Sequence, residues 1–369
     1  MKIASFFGLF SLVLLIGCSS KRTSNYLVGT YTNASNQGIN LIQFNNETKT
    51  VSLLQVVAGI DNPSFVISNK AKTIIVAVEE TASDMGGKVT SYSYNKNTAS
   101  FKKISSVYTK GNHPCTVAFS PKETYVLVGN YSGGSLSVFP ISSEGILSDA
   151  NQFIQYKGSS VNVERQEKPH VHCISFHPKE NIVAIADLGT DAIEVLPFDE
   201  KATSFLQEDK AQSFKVAAGS GPRHLVWNST GTRLYATFEL TNEVGVFEYT
   251  NYQLKQIQTI ALTAPTKSGS AAELRLSNDG NYLYASVRGN DNQIVVMKIN
   301  EVGNLEVIQT IITAKTPRNF IVTKDQKNVL VATQGSSLIS VFERDEKTGL
   351  LKATSSELTI NKPVYLFPF

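Results

Sequence analysis

The stretch Leu234–Leu240, which reads LYATFEL, decides the fold because six similar stretches accompany it along the chain. Each is an apolar, β-branched or aromatic run that ends in a polar or small residue, and successive copies begin about 50 residues apart. The other copies are Tyr26–Thr32, Thr73–Glu80, Tyr125–Tyr131, Ile182–Gly189, Tyr282–Gly289 and Val329–Gly335. Repeats of this length made of short strands are typical of β-propeller blades. The sequence therefore predicts an all-β, seven-bladed β-propeller.

A second pattern places one strand before each repeated run and predicts how the ring closes. Proline fixes φ and lacks an amide hydrogen, so it suits the first residue of an innermost strand. The first blade has no such strand of its own, whereas Lys362-Pro363 opens an extra one near the C-terminus. We therefore expect Lys362–Phe367 to pair with the N-terminal blade, which removes open sheet edges. The other strand starts are Asn62-Pro63, His113-Pro114, Lys168-Pro169, Gly221-Pro222, Ser270-Ala271 and Thr316-Pro317.

Composition indicates one large globular domain. The 369 residues include 41% hydrophobic and 18% charged side chains, and the formal net charge is +3. The absence of a basic run argues against a nucleic-acid partner. The repeat covers residues 26–369, which we interpret as a single domain. Since only Cys115 and Cys173 lie within it, disulfides are not expected to build the fold, and both thiols are interpreted as buried and free.

The first residues predict export and lipid anchoring. Lys2 is followed by the apolar stretch Phe6–Ile16, which is too short to span a bilayer. Leu15-Ile16-Gly17-Cys18 resembles the lipobox of bacterial lipoproteins, in which cleavage leaves the cysteine as a lipid-modified N-terminus. This predicts a lipoprotein signal peptide over 1–17, a membrane anchor on Cys18 and a polar tether over 18–25. The expected location is the bacterial cell envelope, periplasm-facing or at the cell surface; an ordinary signal peptide is the alternative.

The candidate functional residues lie where the repeats come together. Each innermost strand runs antiparallel to the next strand, so its start lies beside the end of the repeated run. All these positions are expected to gather at one mouth of the ring, and their many arginines, histidines and carboxylates mark a candidate pocket. They are Glu79, Glu80, Asn130, Tyr131, His170, His172, Asp187, Arg223, His224, Glu239, Glu273, Arg275, Arg288, Arg318, Asn319 and Gln334.

The motifs at or beside these positions are Gly111–Cys115, Asn130–Phe139, Glu164–His172, Asp187–Asp191, Gly219–His224, Glu239-Leu240 and Tyr284–Gly289. In combination they resemble those of the lactonase family of seven-bladed propellers, whose best-known activity is that of 6-phosphogluconolactonase. The resemblance covers residues from about 26 to 369. It implies hydrolysis of a sugar-acid lactone, with the chemistry carried by His172, Glu239, Arg223 and Arg288. Arg275 and Asn319 stand where the family usually has histidine, which bears on the substrate rather than the fold.

The residues themselves also support roles in lactone hydrolysis. The reaction needs a base for water, a stabilised oxyanion and a proton for the leaving ring oxygen. Counting across the turns places Glu239 opposite Arg223. The same count places Asp187 opposite His172, where a carboxylate would orient the imidazole. We assign His172 as the general base. Glu239 is assigned to position an arginine or the water, and it is also the alternative candidate for the general base.

Four further assignments complete the prediction. Arg223 and Arg288 are assigned as oxyanion and anion clamps. His170 or His224 is a candidate proton donor. Arg275 and Arg318 are predicted to grip an acidic tail of the substrate, because a guanidinium matches carboxylate or phosphate. Asp187 is included as a binding residue through its expected contact with His172.

Several alternatives stay open at this point. His170-Val171-His172 places two rings on one face of a strand, but no third ligand at familiar spacing supports a metal, and no cofactor is expected. No Gly-x-Ser-x-Gly motif supports a serine nucleophile. A muconate-type lactonising cycloisomerase, or a non-catalytic propeller that binds an anion or a partner, would use the same mouth. We expect a monomer with a small anionic lactone as substrate.

Overall fold

The computed structural model describes residues 22–264 and 269–369, which form seven four-stranded antiparallel sheets. We number them blades 1 to 7, and each runs in sequence order from the axis outward except for the first, whose innermost strand is C-terminal. The seven-bladed prediction is therefore confirmed. Blade 1 consists of β1 Thr23–Thr30, β2 Gly38–Asn45, β3 Val51–Ala58 and β28 Pro363–Pro368; blade 2 of β4 Val66–Ser68, β5 Ile74–Glu79, β6 Lys88–Asn95 and β7 Ser100–Tyr108. Blade 3 consists of β8 Pro114–Phe119, β9 Tyr125–Asn130, β10 Ser135–Pro140 and β11 Gln152–Gln155; blade 4 of β12 Val171–Phe176, β13 Ile182–Asp187, β14 Ala192–Pro197 and β15 Gln212–Lys215; blade 5 of β16 Pro222–Trp227, β17 Arg233–Phe238, β18 Glu243–Thr250 and β19 Gln253–Ala261. Blade 6 consists of β20 Gly269–Leu276, β21 Tyr282–Gly289, β22 Gln293–Ile299 and β23 Leu305–Ile312; blade 7 of β24 Pro317–Val322, β25 Asn328–Thr333, β26 Leu338–Arg344 and β27 Leu351–Thr359.

The burial of each strand follows its place in the blade. Second strands such as β13 and β25 are buried at every position, because their two faces pack against neighbouring blades. The outermost strand β27 instead alternates between exposed and partly buried residues, as a half-solvated strand does. Apolar clusters fill the gaps between adjacent sheets; one of them packs Ile182 of blade 4 against Leu234 of blade 5. The core therefore lies between the blades, and the axis is left to polar side chains.

The ring closes as the sequence predicts. The C-terminal strand β28 pairs with β1 in an antiparallel register that places Leu27 opposite Phe367. The propeller begins slightly earlier than expected, because Thr23–Asn25, which the sequence places in the polar tether, already pair with Gln43–Asn45.

Cys18 and the predicted signal peptide lie outside the described residues. Among the described residues, the helical structure consists of the short 3₁₀ turn Glu208–Lys210. No described helix is long and apolar enough to cross a membrane.

A β-bulge just inside the mouth recurs in the innermost strands and is the feature that positions the site. In six blades the register shifts by one residue at this point, so one or two residues of the inner strand have no partner directly opposite them. A bulge bends a strand and redirects the extra side chain, and bulges are common beside active sites. The residues at the bulges are Cys115, His172, Arg223-His224, Ala272-Glu273, Arg318 and Val364.

The residue before the proline adopts a left-handed backbone at most of these strand starts. Asn62, His113, Thr316 and Lys362 have φ values of 45°, 52°, 60° and 38°, and Gly221 has 63°. This conformation costs energy in a residue with a side chain, and it is further restricted before proline. It turns the chain sharply from the outer strand of one blade into the inner strand of the next. The same local device therefore precedes the bulge in several blades.

Candidate active site

Glu239 is buried and contacts three arginines from different parts of the ring. Its Oε1 accepts a hydrogen bond from Arg165 Nη2 at 2.7 Å. Its Oε2 lies 2.7 Å from Arg223 Nε and 3.1 Å from Arg288 Nη2. The juxtaposition of Glu239 and Arg223 is the one that the turn count predicted.

The fold explains why these four side chains meet. Glu239 follows the end of β17, Arg223 lies at the bulge of β16, and Arg288 lies near the end of β21. Arg165 is on the connection between β11 and β12 rather than on a strand. Blades 5 and 6, together with the connection that leads from blade 3 into blade 4, therefore supply the cluster, which we call the Glu239 cluster (Arg165, Arg223, Glu239 and Arg288).

The electrostatics of the Glu239 cluster favour an anion. Three guanidiniums against one carboxylate leave a surplus of two positive charges. Burial alone would raise the pKa of Glu239, but Arg288 and Arg223 outweigh it and hold that pKa well below its ordinary value. Burial lowers the pKa of Arg288 to about 9, which leaves its guanidinium charged at neutral pH. A carboxylate with so low a pKa is a weak base, so this geometry favours Glu239 as a holder of arginines.

His172 lies at the bulge of β12 and is buried, with 6% of its surface exposed. Its Nδ1 makes no hydrogen bond among the described residues. The ring stands edge-on to Tyr131 and to His224, at centroid distances of 5.5 and 5.4 Å. Burial, followed by the charge of Arg223, holds the pKa of His172 well below its ordinary value. The imidazole is therefore neutral near pH 7 and has an unpaired nitrogen.

His170 does not share this freedom. Its Nδ1 is 2.9 Å from the carbonyl oxygen of Tyr131, and its Nε2 is 3.2 Å from Glu167 Oε2. The ring also stacks on that of Tyr131 at 4.4 Å. The Tyr131 hydroxyl accepts a hydrogen bond from Arg165 Nη2 at 3.2 Å. Both nitrogens of His170 are thus engaged, and the residue supports the Tyr131 wall of the site rather than standing ready to give a proton to a substrate.

A second buried carboxylate, Glu273, engages two of the predicted residues. His224 Nδ1 lies 3.0 Å from Glu273 Oε1, and Arg275 Nη2 lies 3.5 Å from Oε2. Leu274 N and the Asn319 side-chain amide donate to the same carboxylate. Burial would raise the pKa of Glu273, but Arg275 and then His224 outweigh it and lower it to about 2.

These contacts bear on the roles predicted for His224 and Arg275. Burial lowers the pKa of His224, so the neutral ring must place its proton on Nδ1 to donate to Glu273. Nε2 is then an acceptor, which does not suit the predicted proton donor. Arg275 also donates from Nε to the carbonyl oxygen of Phe320 at 3.3 Å. It is paired with Glu273 rather than free to grip an acidic tail.

Arg318 forms a third group with Tyr31 and Glu80. Its Nη2 donates to the Tyr31 hydroxyl at 3.1 Å, and its guanidinium lies 5.4 Å from the Tyr31 ring centroid. The Tyr31 hydroxyl lies 2.9 Å from Glu80 Oε1. Burial raises the pKa of Glu80, and Arg318 only partly offsets this. The group comes from blades 7, 1 and 2, on the arc of the ring opposite the Glu239 cluster.

The predicted contact between Asp187 and His172 is wrong. Asp187 Oδ1 accepts from the backbone amides of His170 and Gly189, at 2.7 and 3.0 Å. Its Oδ2 accepts from the Thr190 hydroxyl at 2.7 Å. The bulge explains the error: Val171, not His172, pairs with Asp187, so the carboxylate holds the turn after β13. Asp187 is consequently not available as a binding residue through His172.

A narrow cavity of about 10 Å³, room for about one water molecule, lies at the axis between the clusters. Its walls are mostly residues of the innermost strands at or beside the bulges. Cys115 and Cys173 are both free thiols, and Cys115 is buried in the wall of this cavity. The polar lining residues are Ser64, His172, Arg223, His224, Arg318 and Asn319.

Sequence reasoning gave no role to five participants in the site. Arg165 lies on a connection between two blades, where strand counting has no register that could predict its position. Tyr131, Glu80 and Glu273 were among the strand-end positions but received no role. Tyr31 follows β1 at the position equivalent to Glu80 after β5, and that equivalence was the signal that could have found it.

The comparison with protein families defines the class. A family model for the lactonase 7-bladed β-propeller matches residues 25–368. The chain therefore belongs to the lactonase family of seven-bladed β-propellers, a class of lactone-hydrolysing enzymes.

Particular relatives resemble it over nearly their whole length. The 6-phosphogluconolactonase of Bacillus subtilis is 30% identical over 343 residues, 91% of this chain and 96% of that protein. A 6-phosphogluconolactonase from Formosa agariphila is also 30% identical, over 90% of this chain and 96% of its own. The structure of a periplasmic gluconolactonase from Pseudomonas aeruginosa superimposes with a TM-score of 0.87 at 32% identity, covering 93% of this chain and 98% of that one.

Proposed function

We propose that this protein hydrolyses the lactone of a sugar acid, with water as the nucleophile. The observation that carries the proposal is a pair of buried groups, His172 Nδ1 and Arg223 Nη1, neither of which has a hydrogen-bond partner among the described residues. Both side chains line the axial cavity. Buried donors and acceptors are nearly always paired in folded proteins. An open base and an open cation facing one cavity therefore support a site for an external polar molecule.

The reaction begins at His172. Its neutral imidazole accepts a proton from water while the water oxygen attacks the lactone carbonyl carbon. The carbonyl π electrons move onto oxygen, and Arg223 and Arg288 stabilise the oxyanion that forms. The surplus positive charge of the Glu239 cluster supports this step, because preorganised charge in a dry site stabilises such an oxyanion strongly. The acyl bond to the ring oxygen then breaks, and that oxygen takes up a proton.

Glu239 acts by holding the arginines in place. Its three guanidinium contacts fix the positions of Arg165, Arg223 and Arg288 relative to one another. The low pKa of its carboxylate and its three guanidinium partners leave it a weak base. Arg165 is 40% exposed, whereas Arg223 is 2% exposed. We therefore assign Arg165 to the entrance of the site and Arg223 to its floor.

The names of the relatives support a lactone of the gluconic type, and the predicted lipobox supports an envelope location with Cys18 as the anchor. A phosphorylated sugar lactone is a cytoplasmic compound. An exported enzyme would meet the unphosphorylated form, and the Pseudomonas relative is named as a periplasmic gluconolactonase. We therefore place δ-gluconolactone-type substrates ahead of their 6-phosphates.

The test uses residues 22–369, which contain the 28 strands that the structure describes. We expect this protein to open δ-gluconolactone faster than the spontaneous reaction, and ¹⁸O from labelled water to enter the new carboxylate. His172→Gln should lower kcat by about 100-fold or more. Tyr108→Phe, on the outer strand β7, is the matched control and should leave kcat unchanged.

Three results would contradict the proposal. A His172→Gln variant with full activity would remove the assigned base. Turnover without ¹⁸O incorporation would favour a cycloisomerase. If no lactone is consumed in a panel of γ- and δ-lactones, with and without phosphate, but sugar acids still raise Tm, a non-catalytic binding propeller would be favoured.

A further inference from the structure

The face of the ring opposite the mouth is where the chain enters the propeller. The strand β1 ends at the mouth, where Thr30 pairs with Pro363. Arg22, just before the start of β1, lies at the other end, and its carbonyl oxygen accepts a hydrogen bond from Asn46 N at 2.8 Å. Since β1 has eight residues and is about 25 Å long, the chain enters well away from the site.

The proposed anchor holds this entry face close to a membrane. Cys18 precedes Arg22 by four residues. Four residues span at most about 14 Å even when fully extended, which is less than the length of β1. The mouth therefore cannot lie against the membrane that holds Cys18.

Charge is distributed unevenly over the entry face. In blades 7, 1 and 2, its turns and Arg22 carry eight basic and four acidic side chains, with the C-terminal carboxylate nearby. In blades 3 to 6, the corresponding turns carry four basic and ten acidic side chains. We call these the basic sector and the acidic sector of the face. The basic sector consists of Arg22 and the turns 46–50, 69–73, 96–99, 323–327 and 345–350.

Contacts between blades make the basic sector one surface around the point of entry. Lys49 Nζ of blade 1 donates to Asn328 Oδ1 of blade 7 at 3.2 Å. Lys72 Nζ of blade 2 lies 5.9 Å from the ring centroid of Phe369, which follows the innermost strand of blade 1. The cations of three neighbouring blades therefore surround the start of β1.

Ion pairs within the basic sector are weak. Arg22 lies 3.3 Å from Glu47, and Lys327 lies 3.8 Å from Glu346, with all four side chains more than half exposed. Exposed pairs of this kind contribute little to stability, so their cations can turn to another anion. Each basic residue near an anionic bilayer strengthens attachment about fivefold.

We propose that the basic sector docks on an anionic phospholipid bilayer, the one that holds Cys18. The acyl chains on Cys18 supply most of the affinity, and the basic sector sets the orientation. The same lipid repels the acidic sector, so the ring tilts with blades 7, 1 and 2 towards the bilayer. The mouth then opens to the aqueous side, and substrate reaches it from solution. This inference rests on the proposed anchor and is independent of lactone hydrolysis.

The first experiment measures vesicle binding without acyl chains, using residues 22–369, within which the ring closes. At low ionic strength we expect co-sedimentation with vesicles of phosphatidylcholine and phosphatidylglycerol in equal parts, and none with phosphatidylcholine alone. The basic-sector variant carries Lys70→Gln, Lys96→Gln, Lys324→Gln and Lys347→Gln. The matched control carries Lys122→Gln, Lys179→Gln, Lys201→Gln and Lys210→Gln, in the acidic sector. Although both lose four charges, the first should weaken binding by at least about 30-fold and the second by less than about threefold.

The second experiment uses the full chain after export, with acylation of Cys18 checked by mass spectrometry. Hydrogen exchange in the basic-sector turns 69–73 and 323–327 should be slower on the phosphatidylglycerol vesicles than in detergent. Exchange in the acidic-sector turn 120–124 and the mouth turn 131–134 should be unchanged. Both lysine variants should keep the wild-type kcat on δ-gluconolactone, because the changes lie on the face opposite the mouth.

Four results would overturn the inference. They are binding to both vesicle types or to neither, equal losses in the two lysine variants, slower exchange at the mouth instead of the basic sector, and a Cys18 without acyl chains. None of them bears on the proposed hydrolysis, which turnover alone decides. A protein that docks as expected but opens no lactone would overturn the proposed function and leave this inference standing.

Discussion

Two buried glutamates at the mouth of the ring, Glu239 and Glu273, teach most about the site because their surroundings differ. Glu239 is 5% exposed and faces three guanidiniums, whereas Glu273 is 2% exposed and faces one guanidinium, one neutral imidazole, one side-chain amide and one backbone amide. The first cluster keeps a surplus of two positive charges, and the second is neutral. An anion or a developing oxyanion is therefore attracted to Glu239's arginines and not to Glu273.

The comparison also separates two ways of lowering a carboxyl pKa. At Glu273 one close cation and several hydrogen-bond donors satisfy the carboxylate completely. At Glu239 cations outnumber the carboxylate, and part of Arg223 remains unpaired. A carboxylate whose hydrogen-bond positions are all filled stabilises the fold, whereas one that faces more cations than it can neutralise leaves some of those cations available for a ligand.

The largest difference is expected from removing each carboxylate charge. Glu239→Gln should lower the free energy of unfolding by about 3–5 kcal/mol, because it leaves buried guanidiniums uncompensated, and it should abolish turnover. Glu273→Gln should cost less, since Arg275 is 31% exposed and keeps its contact with Phe320. Urea unfolding with and without sulfate measures both.

Sulfate should restore stability to the Glu239→Gln protein more than to the Glu273→Gln protein, because three guanidiniums then lack a carboxylate in the former and only one in the latter. Equal unfolding free energies and equal sulfate responses would abolish the distinction between the clusters.

The next effect compares one arginine from each cluster. Arg288→Ala should lower kcat by about 10²–10³-fold, the usual cost of losing one oxyanion donor. Arg275→Ala should lower kcat by less than about tenfold, because its partner is Glu273 and not the reacting group. Steady-state kinetics on δ-gluconolactone decide this. A larger loss in Arg275→Ala would return Arg275 to the substrate-binding role that the sequence first suggested.

A smaller effect concerns the histidine beside each cluster. Burial lowers the folded-state pKa of both His172 and His224, so the unfolded chain takes up protons first as the pH falls. Stability is therefore complete above the ordinary imidazole pKa of about 6.5 and declines below it, by at most about 1.4 kcal/mol per pH unit for each histidine.

The loss of stability below about pH 6.5 should be reduced more by His172→Gln than by His224→Gln, and the reduction should extend to lower pH. The reason is that Glu273 partly restores the pKa of His224. Urea titrations at several pH values between 7 and 5 measure the slopes. An unchanged slope in His172→Gln would contradict the depressed pKa of His172.

The repeat and the proline-led strands were enough to predict the fold, because hydrophobic alternation and proline restrict strands locally. They were also enough to bring Arg223 and Glu239 together, since a short turn fixes which strand ends are neighbours. Arg165 could not be placed in this way. It lies on a connection whose path depends on contacts such as that of Gln166 Nε2 with the carbonyl oxygen of Leu188, and no periodicity encodes them.

The bulges are the second feature that the sequence did not reveal. A bulge inserts one unpaired residue without changing the apolar alternation on either side, so counting across the turn is wrong by one residue beyond it. This error gave Asp187 a contact with His172, whereas Val171 is its true partner. The functional side chains lie where this local irregularity redirects them, which is why the fold was easier to predict than the contacts within the site.

The smallest expected effect tests this last point on Asp187, a third carboxylate at the mouth whose hydrogen bonds come from two backbone amides and one hydroxyl. In Asp187→Asn the remaining carbonyl oxygen can still accept from His170 and Gly189, and the new amide can donate to Thr190. We therefore expect a loss of about 1 kcal/mol or less in unfolding free energy and an unchanged kcat on δ-gluconolactone. A carboxylate that oriented the base would behave differently, because an amide at that position lowers kcat strongly. A large fall in kcat with normal stability would mean that Asp187 reaches His172 during turnover, and the mouth would then contain a third functional carboxylate.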